Sequence, residues 1–195
     1  MKQMYPTIII CCNILFAHAQ WTDNTELNTL VANANCGDIQ IPAGQTNDVW
    51  IAFYSQNGNN YDMRAQRIEG ITGNRLLGDN GVLVSNKKSG SATYVFNTCV
   101  DASGNLVVAF QFEKNNKMRA VIQKVHTSGQ LLWGDGIELG AGLSPYPVLL
   151  STGEIAVAWN NDDVINYQKI NPDGSKAWTI PKVIEGNPSN KAVSR

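Results

Sequence analysis

Five aspartates, Asp62, Asp101, Asp135, Asp162 and Asp163, are the side chains of this sequence best suited to acid–base work. Glycoside hydrolysis sets two carboxyl groups about 5–10 Å apart across the bond that breaks. Sequence spacing does not fix that separation, and Asp101 stands in a turn, where a carboxylate also serves the local backbone. A second set is oxygen-rich: Asn57, Asn59 and Asn60, then Asn115 and Asn116, then Asn161, Asp162 and Asp163. These occupy three equivalent hairpin tips. Their oxygens suit Ca²⁺ or sugar hydroxyls, and the same residue types are what any exposed turn uses. No cofactor is expected beyond a Ca²⁺ ion at such a tip.

Other chemistry finds little support. His126 holds a turn position that Glu69 and Asn171 hold in sister segments, so no Ser-His-Asp relay is expected around it. Zinc wants several Cys or His ligands, and the candidates here stand at unrelated spacings. Gly134-Asp135-Gly136 and Gly140-Ala141-Gly142 lack the Lys-Ser/Thr of a phosphate loop and the spacing of a dinucleotide fingerprint. Asn171-Pro172-Asp173-Gly174 before Trp178 has the wrong spacing for a sialidase Asp-box and reads as an ordinary turn. Catalytic residues are therefore assigned to none.

The elements that carry these groups repeat. Leu106-Val107-Val108-Ala109-Phe110 is a short, β-branched apolar run bounded by turn residues, the pattern of a strand buried on both faces. A polar tip, a second strand (Met118 to Val125), a Gly turn and a third strand (Leu131 to Leu139, broken at Gly134 to Gly136) follow. Trp50 to Tyr54 and Ala156 to Trp159 match the first run. Gln66-Arg67, Gln123-Lys124 and Gln168-Lys169 match one another. Ala52, Ala109 and Ala158 stand roughly 50 residues apart, a period in the range for units of about four strands. The fourth strand opens each unit, at Ala92 to Val100 and Tyr146 to Leu150. The expected fold is all-β: an incomplete β-propeller of about three four-stranded antiparallel blades, at 49–85, 91–140 and 144–186. A β-sandwich is the competing architecture. Ile51, Phe53, Val108, Phe110, Ile122, Val157 and Trp159 should form the core, with Trp133 and Trp178 between neighbouring sheets.

Residues 1–19 have the form of a secretory signal peptide: Lys2, an apolar stretch from Thr7 to Phe16, and Ala17-His18-Ala19 before a cut between Ala19 and Gln20. The apolar run is too short for a membrane span. Export permits a Cys36–Cys99 disulfide; a buried free thiol at Cys99 is the alternative. Residues 20–48 carry helix-start features at Thr22 to Glu26, but their Asn-rich composition favours an extended segment, placed to complete the last blade. Residues 187–195 resemble the start of a further repeat. The 195 residues are 43% hydrophobic and 16% charged, with a net charge of −1. That composition is globular, and without basic clusters it argues against nucleic acid or an anionic membrane as partner.

The signal peptide, Gln20-Trp21, the Trp50 to Tyr54 strand, Tyr61 to Ile68, Gly81 to Ser85 and Val100 to Asn105 together resemble the secreted propeller-like proteins of Bacteroidetes. Those often end in a sorting domain for type IX secretion, which this sequence does not show. The resemblance implies an extracellular or outer-surface location and carries over no functional residue. The expected function is non-enzymatic binding of a glycan or protein; a carbohydrate-active enzyme using loop carboxylates is the alternative. Missing blades or self-association should cover the open edge, because a terminal repeat exposes the face its neighbour would bury.

Overall fold

The computed structural model describes residues 30–44 and 46–184. The signal peptide with its Ala19–Gln20 cleavage site, the helix-start residues 22–26 and the tail 187–195 lie outside the described residues. Within them the protein is all-β, with twelve strands and no helix. The strands form three antiparallel four-stranded sheets, each taken in chain order. The first holds β1 (Cys36–Gln40), β2 (Val49–Asn57), β3 (Asn60–Ile68) and β4 (Val82–Leu83). The second holds β5 (Asn97–Val100), β6 (Leu106–Lys114), β7 (Lys117–Val125) and β8 (Ile137–Ala141). The third holds β9 (Leu143–Leu149), β10 (Ile155–Asn161), β11 (Val164–Ile170) and β12 (Lys182–Ile184). This is the incomplete, propeller-like arrangement that the repeat predicts.

Several boundaries differ from expectation; β5 starts at Asn97 rather than Ala92, and β9 at Leu143 rather than Tyr146. The first sheet begins at Cys36, because β1 pairs with β2 from Cys36↔Ser55 to Gln40↔Ala52 rather than completing the last sheet. β1 is mostly exposed and lacks an alternating pattern, so its sequence carries no strand signal. The third strand of the second unit starts at Ile137; Leu131 makes only an isolated bridge to Val125.

Strand pleating sends successive side chains to opposite faces, and each sheet uses its two faces in the same way. Leu106, Val108 and Phe110 of β6 pack towards the first sheet, in a cluster with Ala52 and Tyr54. Val107 and Ala109 pack towards the third, in a cluster with Val157 and Trp159. The apolar run of β6 is continuous because both of its faces are covered. All seven expected core residues are buried. Trp133 lies between the second and third sheets, its ring against the turn at Gly174, where an added Cβ would come within 2.5 Å of Trp133 Cδ1. Gly174 also has φ +89°, which L side chains rarely adopt.

The recurring Gln followed by a basic residue has two jobs. Gln66, Gln123 and Gln168 are at most 1% exposed. Gln123 Nε2 donates to Gly134 O (2.8 Å) and, across the sheet junction, to Val84 O (3.2 Å). Its Oε1 accepts from Lys124 N (2.9 Å) and Trp133 N (3.2 Å). All four hydrogen-bonding positions of the amide are thereby used. Gln66 repeats the pattern with Gly78 O, Val31 O, Arg67 N and Leu77 N. The basic neighbour pairs with an acid in the turn that leads into the adjacent strand: Arg67 with Asp48, Lys124 with Asp101 (2.7 Å), Lys169 with Glu154 (2.6 Å).

Replacing Gln123 with Leu keeps the volume and strands two buried carbonyls and two buried N–H groups. Urea unfolding should show a loss of about 3 kcal/mol for Q123L. The loss should be smaller for Q168L, because Gln168 bonds only within its own sheet, to Trp178 and Lys169 N. Equal losses would remove the junction bond from the account.

Candidate functional site

The three hairpin tips explain their own composition. Asn115 and Asn116 both have left-handed backbone, φ 54° and 56°, as do Gly58 (63°) and Asp162 (53°). A two-residue hairpin loop needs positive φ, which Asn, Asp and Gly tolerate best. Asn57 closes the first tip by donating from Nδ2 to Asp62 Oδ2 (2.9 Å). Asn59 and Asn60 are exposed on that same tip, away from the other two. None of the described residues forms a cluster of three acidic, His or Cys side chains able to hold a metal ion.

The second and third tips flank a groove. Its volume is about 390 Å³, and it is lined by Lys117 and Met118 on one side and Asn160, Asn161 and Asp162 on the other. Ala141, Gly142 and Leu143 form its floor. The groove exists because the connection from β8 to β9 is one residue long. Gly142 makes that possible: its φ is +139°, and a Cβ there would lie 2.2 Å from Asn160 O. At the first junction the corresponding connection runs from 84 to 96, and its residues fill the space. Ser89 is fully buried there, bridges Tyr61, and donates from Oγ to Gln111 O (2.9 Å). A second hollow of about 470 Å³ adjoins the groove through Asn160, and Asn97, Ser144, Tyr146 and Trp159 line it. Tyr146 is 58% exposed, so an aromatic ring is available beside amide and hydroxyl groups.

The candidate acids differ in their surroundings. Asp101 is buried with Lys124; burial alone would raise its pKa. The bonds from Lys124 and Asn105 outweigh this and hold it below the ordinary carboxylate range. Lys124 also sits 5.5 Å from the centre of the Trp133 ring. Asp135 is likewise pushed up by burial, and Lys87, Asn86 and Ser85 pull it below its usual value by bonding it. Asp162 lines the groove, and Asp163 is exposed beside it on the same tip. Asp62, Asp101 and Asp135 do not line it. Of the expected tip residues, the structure brings Asn161 and Asp162 into a concave site; Asn115 and Asn116, which precede Lys117 in the chain, do not line it. Lys117, Met118 and Leu143 were not singled out from sequence. The signal for them lay in connection length: about a dozen residues at one junction and one at the next.

Cys36 and Cys99 are both free, which corrects the proposed bridge. Cys36 lies exposed on β1 of the first sheet, its Sγ donating to Ala34 O (3.3 Å), whereas Cys99 is half-buried on β5 of the second. Burial, with Asp101 adding to it, pushes the Cys99 thiol up to about 11.

No family model matches the chain, and no curated protein matches it. No helix among the described residues is long and apolar enough to cross a membrane.

Two measurements follow from these environments. Native alkylation with iodoacetamide, read by peptide mass spectrometry, should modify Cys36 readily. Cys99 should react only on unfolding, because the thiolate is the reactive form. A Cys36–Cys99 linked peptide would contradict this. Asp101 has a depressed folded pKa, so its stabilisation is present above the unfolded value of about 3.9 and is lost as pH falls through the folded value. D101N should cost about 3 kcal/mol at pH 7, since Lys124 is left buried without its partner. As pH falls through the folded value of Asp101 the gap between variant and wild type should narrow; a constant gap would exclude the ion pair as its source.

Proposed function

We propose that this chain is a secreted or cell-surface repeat module that binds a glycan or protein, without catalysis, in the groove between its second and third hairpin tips. The observation that supports the reading is the groove itself: a concave site on the face of the hairpin tips, with an amide-rich wall, a lysine, and an exposed tyrosine in the adjoining hollow. Amides and hydroxyls offer both donors and acceptors to sugar hydroxyls, and an aromatic ring offers an apolar face with a polar handle. Asp162 is the one carboxylate among the residues lining the groove, whereas hydrolysis of a glycosidic bond uses a pair. The form of residues 1–19 and the resemblance to secreted Bacteroidetes repeat proteins support an extracellular setting.

The experiment is a glycan array and a panel of extracellular proteins, each probed with wild type and with the double variant Asn161→Ala/Asp162→Ala. A ligand that uses the groove should lose at least tenfold in affinity with the double variant. It should be unaffected by Asn59→Ala on the first tip. Binding that responds to the first tip alone would move the site away from the groove.

A further inference from the structure

The two covered junctions of this chain follow one rule, and the third sheet repeats half of it. Ala52 of β2 shares a buried cluster with Phe110 of the second sheet, and Ala109 of β6 shares one with Trp159 of the third. Beside them, Leu77 packs on the turn glycine Gly129 and Trp133 on Gly174; an added Cβ would come 3.1 Å from Leu77 Cδ2 and 2.5 Å from Trp133 Cδ1. Ala158 is the same position in β10, and its face meets no sheet among the described residues. Its cross-strand partners are Tyr146 and Tyr167, with Val148 paired to Ala156 beside them. Tyr146 is 58% and Val148 48% exposed. Trp178, equivalent to Leu77 and Trp133, stands edge-on to Tyr167 at 5.5 Å, with no turn glycine beneath it among the described residues.

The opposite end of the chain shows the other half. Leu30-Val31-Ala32-Asn33 parallels Leu83-Val84-Ser85-Asn86, roughly one period later. Val31 O accepts from Gln66 Nε2 (3.3 Å) as Val84 O accepts from Gln123 Nε2 (3.2 Å). Asn33 N bonds Asp79 O, and Asn86 N bonds Asp135 Oδ1, at matching places after the Gly78 and Gly134 carbonyls. Residues 30–33 therefore occupy the place of an outer strand's end, and no other strand of such a sheet is found among the described residues. They cover Ile51 and Phe53, which are 7% and 1% exposed. The Ile51–Phe53 face of a second copy is thus already covered, and the exposed aromatic side chain such a copy offers is Tyr146 of its own Ala158 face.

We propose that the Ala158 face of the third sheet is the docking site for a further sheet of this same repeat. That sheet presents a Phe or Trp from its second strand to Ala158 and a Gly turn to Trp178. Tyr146 and Ala158 also line the hollow beside the groove, so a docked sheet would cover that hollow, and the ligand-binding reading then rests on the groove alone. Apolar area of this kind is strongly favoured to leave water, and the repeat supplies the shape that fits it.

The test extends the full chain after Arg195 with one of two added units, a copy of residues 91–141 or a copy of residues 143–184. Acrylamide quenching of Trp178 is obtained by difference from W178F in each chain. At least one extension should lower the Trp178 quenching constant several-fold. Replacing the turn glycine of that added unit with Val should restore it. Unchanged quenching in both extended chains would overturn the proposal, as would protection that survives the Gly→Val change. Light scattering of the unextended chain should show a monomer with Trp178 accessible; a dimer with Trp178 shielded would name a second copy as the occupant and also overturn it.

Discussion

A buried glutamine on the third strand of each sheet is the constraint around which the rest is built. An amide in an apolar interior is costly unless all its donors and acceptors are met. Gln66 and Gln123 are fully buried and fully bonded. Each holds the loop that follows its own strand and, with one bond, the chain on the upstream side of its sheet. The loop so held carries Leu77 or Trp133, the side chain that reaches the next sheet. One residue type thus fixes a local turn and the spacing between sheets at once. A Glu, Met or Leu of similar size would leave part of that network unbonded.

The direction of packing follows from the same arrangement. Every sheet carries an alanine on its downstream face, at Ala52 (between the large Trp50 and Tyr54), Ala109 and Ala158, and a large residue upstream, at Phe53, Phe110 and Trp159. Small against large is how two pleated faces interdigitate without voids. The central sheet therefore has both faces buried, and the end sheets differ in kind. The first is covered on its upstream side by residues 30–33. The third is half-exposed on its downstream side, and its outer strand β12 is three exposed residues. Resistance to local opening should fall from the second sheet towards β12, since few buried contacts hold that edge.

Much of this was legible because the repeat's signature residues are tied to specific contacts. Gln-basic pairs, turn glycines and the two-sided apolar runs each answer to a bond or a packing limit, so they recur and can be read. β1 was not legible as part of the first sheet. It is an edge strand with little burial, and period-2 alternation arises only where one face is buried. The equivalence of Leu30 to Asn33 with Leu83 to Asn86 covers too few residues to stand out before the hydrogen bonds of Gln66 and Gln123 show what both segments do. The Cys36–Cys99 bridge could not be judged from sequence because the two residues belong to different sheets, and only geometry decides whether two cysteines meet.

The tips show why composition alone misplaces a site. Asn115, Asn116 and Asp162 read as a ligand-binding set because they are oxygen-rich and recur. Their positive φ values give a sufficient reason for their identity that involves no ligand. The concave feature instead arises from a deletion: one junction spends residues 84–96 on filling the space between tips, and the next spends only Gly142. A tip residue gains a candidate role only where that short connection leaves room beside it, as at Asn161 and Asp162. Asn59 and Asn60 have the same chemistry and do not line the groove. In a repeat scaffold the common residues build the fold, and the difference between repeats is where a site can form.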